Sequence, residues 1–483
     1  MKPKMLREGK TPVELGHCIN DISIDLTESC NLRCKYCFCD TVGKNIKNDK
    51  KINSRIDIEV AKQAIDWYLK DDVSGTVDYI KSKKPLKLRL WGGEPTLYFD
   101  LMKEVVEYAQ LKAKACAKPL NIGGITNLIN LNDERIDWMI EHNCMMSLSV
   151  DGIGERNRLR VLPDGKNSWE IVEKKLKLMI EKLGVVKNRR VAICTVISPE
   201  TVKGLSNDVK SFYNMGVRKI LLEEDYTAKW DHAAYSCLFD ELKRTTDFCL
   251  NVLDSTGEYL STSIHMDSLI RCISDGYLQG FSNNGLHGRY WCTQGKVRLA
   301  ISIEGAIYSC HHLNKHNTTD IEWHEKDECL GSIFEGITNI DLYKRWSDRL
   351  PPLFSKDSPL PHCNGCDLEG WCAGGCAALS KEQGGSINSK VEEWCKIKRI
   401  YYDVALYTLH RAIIEGLLSK LMGHIYSQGK RKMYKPQSQG HKILPNPVKK
   451  KYGLKYIQPD EPKEAVNGDL WYKANTKEKV CKQ

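Results

Sequence analysis

From about position 21 to 253, short apolar runs alternate with longer stretches whose apolar residues recur at helical spacing. The runs at 22–27, 86–91, 120–126, 145–150, 191–197 and 217–223 predict strands, and the stretches at 58–69, 101–115, 133–142, 169–183, 201–214 and 235–253 predict the helices between them. Each crossover is long enough to be a helix, so the strands should be parallel. Six such units predict an α/β fold of the TIM-barrel type, a partial (β/α)6 barrel rather than a closed eight-fold one, with chemistry at the C-terminal strand ends. Beyond 253 the periodicity weakens, and Gly, Asn and Cys become frequent to about 397, which predicts an irregular module whose core is partly replaced by metal. A helical stretch at 401–421 follows, and then a tail rich in Lys, Pro and Gly without apolar periodicity.

Composition narrows the class. Hydrophobic residues at 41% and charged residues at 28% are ordinary for a soluble globular chain of 483 residues, long enough for one large core and a second module. No run of 18 apolar residues occurs, and MKPKMLREGKTPVELGH lacks the apolar centre of a secretory signal, so a cytoplasmic protein without a membrane partner is expected. Twenty cysteines are then anomalous, because disulfides do not persist in a reducing compartment; thiolates for metal are the better reading. The net charge of +10 is unevenly placed: His424 to Gln483 holds 14 Lys and Arg against 5 Asp and Glu, or +9. The rest is nearly neutral, so no nucleic-acid face is expected.

The strongest motif is Cys30, Cys34 and Cys37 in CNLRCKYC, directly after the first expected strand. Three thiolates so spaced can hold three irons of a cubane 4Fe-4S cluster and leave the fourth iron open to a small chelating molecule. A zinc site would need a fourth ligand such as Cys39 or a histidine. CxxxCxxC after the first strand of a six-unit barrel resembles the radical S-adenosylmethionine (SAM) superfamily. The resemblance implies that Gly92, Gly93, Glu94 and Pro95, ending the second strand, meet the amino group of SAM, and that Tyr36 lies near the adenine. It also implies SAM contacts from Thr126 and Asn127, from Ser149 and Asp151 in SLSVDG, and from an arginine near the methionine carboxylate, Arg160 of RNRLR with Arg158 as the alternative. Each of these alone could be an ordinary polar turn residue. The implied mechanism is one-electron reductive cleavage of SAM to a 5'-deoxyadenosyl radical that abstracts hydrogen from the substrate, with electrons from an external donor such as flavodoxin or ferredoxin.

Seven further cysteines follow: Cys292, then Cys310 after Gly305, then Cys363, Cys366, Cys372 and Cys376, and finally Cys395. A CxxC pair alone would suit a zinc ribbon, but seven thiolates are too many for one zinc. The spacing resembles the SPASM domain, which implies two auxiliary 4Fe-4S clusters and thus three in all. By that resemblance Cys292, Cys310 and Cys376 hold the inner cluster, whose fourth ligand is Cys272, Cys329 or an open site, and Cys363, Cys366, Cys372 and Cys395 hold the outer one. His311 then stands near the substrate as a catalytic residue or supports the adjacent ligand. Cys18, Cys39, Cys116, Cys144, Cys194, Cys237, Cys249 and Cys481 read as structural, most of them inside expected helices or strands where a free Cys behaves as a small apolar residue.

The expected organisation is an extension at 1–20, the barrel at 21–253, a bridge at 254–285, a SPASM domain at 286–400, a helix at 401–423 and a basic tail at 424–483. The function implied is modification of a ribosomally made peptide, forming a thioether, carbon–carbon crosslink or related change. Two alternatives stay open: oxidation of Cys or Ser to formylglycine, as in anaerobic sulfatase maturases, and a non-catalytic electron-transfer protein. The last has no use for a SAM pocket. About twenty residues precede the first strand, too few for a fused leader-recognition domain, so a separate recognition protein, the barrel surface or the basic tail would serve.

Overall fold

The structure is a computed structural model that describes residues 9–37, 54–82, 85–187, 192–262, 264–274, 295–313, 328–349, 360–363, 366, 368–372 and 374–427. Cys39, Cys292, Cys481 and nearly all of the expected basic tail lie outside the described residues. The chain divides into a unit at Met1–Tyr434 and a second at Lys435–Gln483, the latter outside the described residues.

Strands β1 (Asp21–Thr27), β2 (Leu86–Gly92), β3 (Leu120–Thr126), β4 (Met145–Ser149), β5 (Ile193–Ile197) and β6 (Ile220–Glu224) pair in sequence order, all parallel. Helices α1 (Ile58–Tyr68), α2 (Phe99–Ala115), α3 (Asp133–Glu141), α4 (Trp169–Lys187), α5 (Leu205–Asn214) and α6 (His232–Thr256) make the crossovers and follow the last strand. The mixed α/β fold with a parallel sheet agrees with the sequence reading, with strand ends displaced by only a few residues.

Polar and apolar positions on β1 show how the layers form. Ile22, Ile24 and Leu26 are fully buried and alternate with Asp21, Ser23 and Asp25. Successive side chains point to opposite faces of the sheet, so the aliphatic set gathers on one face and the polar set on the other. There Arg89 of β2 donates to both Asp21 carboxylate oxygens at 2.7 and 2.8 Å, and Arg298 donates at 2.9 Å. The two guanidinium groups outweigh burial and hold the Asp21 carboxyl below its usual range.

The cysteine-rich region is more regular than expected. Strands β7 (Arg298–Ile301), β8 (Ala306–Tyr308), β9 (Gly331–Ser332) and β10 (Gly336–Ile337) extend the sheet beyond β1; β7 pairs with β1 in parallel and the rest are antiparallel. Strands of two to four residues are too short for alternation to reveal. Helix α7 (Ile264–Ser274) lies in the stretch read as a bridge; α8 (Ile340–Ser347) and α9 (Ala377–Gly384) follow.

The helix expected over 401–421 instead begins at Glu392 as α10 (Glu392–Ile414), stops near left-handed Gly416 (φ 70°), and resumes as α11 (Leu418–Ser427). Its first turns carry Cys395 and Lys398 inward, so apolar periodicity understates its length. Helix α10 packs along α6, where Tyr407 donates to Asp247 at 2.6 Å and Arg411 at 2.8 Å.

Gly124 pairs with Leu90 across β3 and β2, and an added Cβ would lie 2.1 Å from the Leu90 backbone oxygen. Gly124→Ala should therefore cost about 3 kcal/mol or more. Gly423, inside α11, has open space around a new Cβ, and Gly423→Ala should stabilise by up to about 1 kcal/mol. Thermal unfolding of the two variants checks both signs.

Candidate functional site

The loop from Glu28 to Cys37 leaves β1 and carries the three cysteines. Arg33 N–H donates to Val161 O at 2.7 Å and Lys35 N–H to Leu159 O at 2.9 Å, which pins the loop to the RNRLR segment after β4. On the opposite side it meets the end of β2. Gly93 N–H donates to Thr27 O at 2.8 Å and Glu94 N–H to Ser29 O at 2.9 Å. A Cβ on Gly92 would stand 2.1 Å from Thr27 O, and one on Gly93 2.2 Å from Ser29 O. Gly92 also has φ 118°, so both glycines are required by backbone approach to the cysteine loop.

Glu94 is buried and joins two strand ends. One carboxylate oxygen accepts from Thr96 N–H at 3.1 Å, Thr96 Oγ1 at 2.6 Å and Thr126 Oγ1 at 2.8 Å; the other accepts from Asn127 N–H at 2.7 Å. Burial raises its pKa, opposed by these donors. Only the Oε2 side, with one protein donor, retains capacity for a cationic ligand. Asn127 reaches the cysteine loop, donating to Asn31 Oδ1 at 2.7 Å and approaching Cys30 Sγ at 3.7 Å. Leu128, next in the chain, is held at φ 69°, the kind of backbone strain that a site imposes on a strand end.

The fourth strand end closes the circle. Tyr36 donates to Asp151 Oδ2 at 2.5 Å and receives a hydrogen bond from Arg160 Nη1 at 2.8 Å, while Asp151 Oδ1 accepts from Val196 N–H at 3.1 Å. Tyr36, Asp151 and Arg160 thus form one buried polar cluster linking the cysteine loop to β4 and β5. Burial raises the pKa of Asp151. That of Arg160 also goes up despite burial, because Cys34, Tyr36 and Asp151 surround it. Arg160 Nε has no hydrogen-bond partner among the described residues. Arg158 instead donates to Glu200 O at 2.7 Å in an exposed position. The half-buried Ser149 makes no side-chain hydrogen bond among the described residues.

Burial and the nearby Glu94 push the Cys30 thiol up to about 12, and burial pushes Cys34 up to about 11. A bare thiol in that place stays protonated at neutral pH, so it becomes a ligand only when a metal supplies compensating charge. Cys30 also receives Leu32 N–H at 3.4 Å, and each of the three thiols feels another's charge. The donor set, with N–H groups aimed at sulfur, suits an iron–sulfur cluster.

In the second set, Cys366, Cys372 and Cys395 interact electrostatically with one another. Trp394 Nε1 donates to Cys372 Sγ at 3.2 Å, and Arg399 approaches Cys366 Sγ at 3.8 Å. Cys376 stands at the N-cap position of α9 without a side-chain cap hydrogen bond, its thiol pushed up by burial. Cys310 is buried just after β8 and accepts from His312 N–H at 3.5 Å. Cys363 is buried one turn from Cys366. Cys272 is buried on α7, while the Cys329 thiol donates to Gly331 O at 3.3 Å. Among the described residues no three His, Cys, Asp or Glu side chains close to the spacing of a single metal ion. Cys144 and Cys249 are buried, with their thiols pushed up to about 12.

His311 packs its ring 4.3 Å from that of Trp91, the residue before Gly92. Burial, His312, Arg298 and Arg89 lower its pKa well below the usual range, so the imidazole is neutral at pH 7. Sequence reading missed Asn31, Trp91 and the polar row of β1. The alternation of Asp21, Ser23 and Asp25 with aliphatics was the available signal.

Residues 24–205 match the Radical SAM superfamily. Over those residues the chain carries a radical SAM domain, a family that implies SAM and a 4Fe-4S cluster. It is 20% identical to the radical SAM cyclopropyl synthase TigE of Paramaledivibacter caminithermalis, over 84% of this chain and 76% of that protein. Among solved structures, anSMEcpe with bound AdoMet superposes with a TM-score of 0.60 at 19% identity, covering 84% of this chain and 98% of that one. Streptococcus suis SuiB bound to the precursor peptide SuiA superposes with a TM-score of 0.50 at 15% identity, covering 78% and 76%. These likenesses show the fold. Among the described residues no helix is long and apolar enough to cross a membrane.

Asp151→Ala would leave Arg160 buried without its carboxylate and should cost about 3–5 kcal/mol. Tyr36→Phe removes only a bridging hydroxyl and should cost about 1–2 kcal/mol. Urea unfolding midpoints should rank wild type, Tyr36→Phe, then Asp151→Ala.

Proposed function

We propose that the protein modifies a peptide or protein substrate by SAM-dependent hydrogen abstraction, with ten cysteines holding three 4Fe-4S clusters. Cys30, Cys34 and Cys37 would hold the cluster that binds SAM. Cys292, Cys310 and Cys376 would hold an inner auxiliary cluster, with Cys272, Cys329 or an open position as its fourth site. Cys363, Cys366, Cys372 and Cys395 would hold the outer one. When bound, SAM and its cluster supply a 5'-deoxyadenosyl radical.

The chain's residues bind and orient. The Oε2 side of Glu94 and the ends of β2 and β3 would receive the amino group of SAM, and Ser149 and Arg160, with its unpartnered Nε, would receive the carboxylate. Tyr36 would flank the adenine. Neutral His311, its ring 4.3 Å from that of Trp91 just before the end of β2, would stand near the substrate.

The observation that carries the substrate class is the second cysteine set on a fold shared with structures holding peptides. SuiB is solved with its precursor peptide SuiA, and anSMEcpe with a Cp18Cys peptide. A peptide product bearing a crosslink is the reading preferred here. A flavodoxin or ferredoxin would supply electrons, and a separate protein or the basic tail would recognise a leader.

Anaerobically reconstituted protein should hold on the order of twelve irons, and replacement of Cys30, Cys34 and Cys37 together by Ala should remove roughly four of them. With a strong one-electron reductant the wild type should yield 5'-deoxyadenosine and the triple variant none. Glu94→Ala should weaken SAM binding roughly tenfold or more, since a charged hydrogen-bond acceptor is lost. Zinc without labile sulfide would end the cluster reading.

A candidate peptide encoded beside the gene, deuterated at the target carbon, should pass deuterium into 5'-deoxyadenosine. Loss of two hydrogens would mark a crosslink, and an aldehyde at Cys or Ser a sulfatase-type maturase. Fully converted peptide that leaves 5'-deoxyadenosine free of deuterium would exclude abstraction there, and turnover of a small metabolite instead would overturn the substrate class.

A further inference from the structure

One face of α10 joins the second cysteine set to the barrel. Glu224, the last residue of β6, is fully buried; its carboxylate accepts from Tyr226 at 2.6 Å and from Tyr401. Lys398 Nζ stands 3.5 Å from that carboxylate and is itself 1% exposed. Among the described residues it donates no hydrogen bond. Instead it lies 5.2, 4.8 and 4.7 Å from the ring centroids of Tyr226, Trp394 and Tyr401. A buried ammonium with so loose an anionic partner is costly, and the three rings recover part of that cost through their negative faces. A leucine or methionine would fill the same space without the penalty, so the charge itself is the feature to explain.

The same helix face carries the sulfur-directed groups. Cys395 lies one turn before Lys398; Trp394 donates to Cys372 Sγ at 3.2 Å, and Arg399 Nη2 approaches Cys366 Sγ at 3.8 Å. The Lys398 charge reaches the Cys372 sulfur. A four-thiolate cluster is anionic and gains negative charge on reduction. A fixed cation and N–H donors in a medium of low dielectric therefore stabilise its reduced form.

We propose that Lys398, held in the Tyr226–Trp394–Tyr401 box, raises the reduction potential of the cluster carried by Cys363, Cys366, Cys372 and Cys395, and that Glu224 moderates that effect while tying the site to the end of β6. The inference rests on reading the second cysteine set as a cluster site. Lys398 and Glu224 are positioning residues, since neither touches substrate.

The test is a redox titration of the reconstituted full-length chain, followed by electron paramagnetic resonance, with iron and sulfide measured on each sample. Lys398→Met should lower the auxiliary potential, Glu224→Gln should raise it, and Lys398→Arg should leave it close to wild type, all at about twelve irons per chain. A role confined to packing would not give shifts of opposite sign. Full iron content with no shift in Lys398→Met, or shifts of one sign in both variants, would overturn the proposal. Should Lys398→Met lose iron, Glu224→Gln decides alone: an unmoved or lowered potential there refutes it. A wild type holding only about four irons would refute the auxiliary clusters themselves, a failure separable from an unshifted potential.

Discussion

The close approach of two backbones organises this molecule. The end of β2 reaches the cysteine loop so tightly that Gly93 and Glu94 donate to Thr27 and Ser29 carbonyls, and no Cβ fits at Gly92 or Gly93. That contact sets where the loop can lie, and hence which strand ends its three cysteines face. Glu94 then carries the constraint onward, because its buried carboxylate holds Thr126 and Asn127 at the end of β3. Asn127 returns it to the loop through Asn31. The Tyr36, Asp151 and Arg160 cluster closes the ring from the fourth strand. Strand ends that would otherwise be separate turns become one hydrogen-bonded rim.

Much of this was legible in the sequence, because the barrel is built of regular units. The six strands and their helices announce themselves by period, and CNLRCKYC, GGEP and SLSVDG fall at strand ends where a parallel sheet gathers chemistry. What sequence reading gave incompletely were roles. The glycines of GGEP serve the cysteine loop before any ligand, and Glu94 is already engaged by four protein donors. Such duties depend on which residues become neighbours across 30 to 120 positions, and no local pattern records that.

The cysteine-rich region was harder for a different reason. Its strands are two to four residues long, and its longest helix turns cysteine and lysine inward where periodicity expects aliphatics. Thiol spacing carried the reading instead. Lys398 was invisible in that scheme: a lone lysine in a helix reads as solvated surface, and only the fold reveals it boxed between three rings against Glu224. The same kind of device recurs in both places, a buried carboxylate at a strand end gathering donors from another element: Glu94 from the end of β3 and Glu224 from α10.

The most direct test of the rim as a SAM site is electron–nuclear double resonance on the reduced protein with SAM labelled by carbon-13 at its methyl group. SAM bound at an open iron beside Cys30, Cys34 and Cys37 should give a carbon-13 hyperfine coupling to the reduced cluster, abolished when those three cysteines are replaced by Ala. Absence of any coupling in fully iron-loaded wild-type protein saturated with SAM would contradict that assignment.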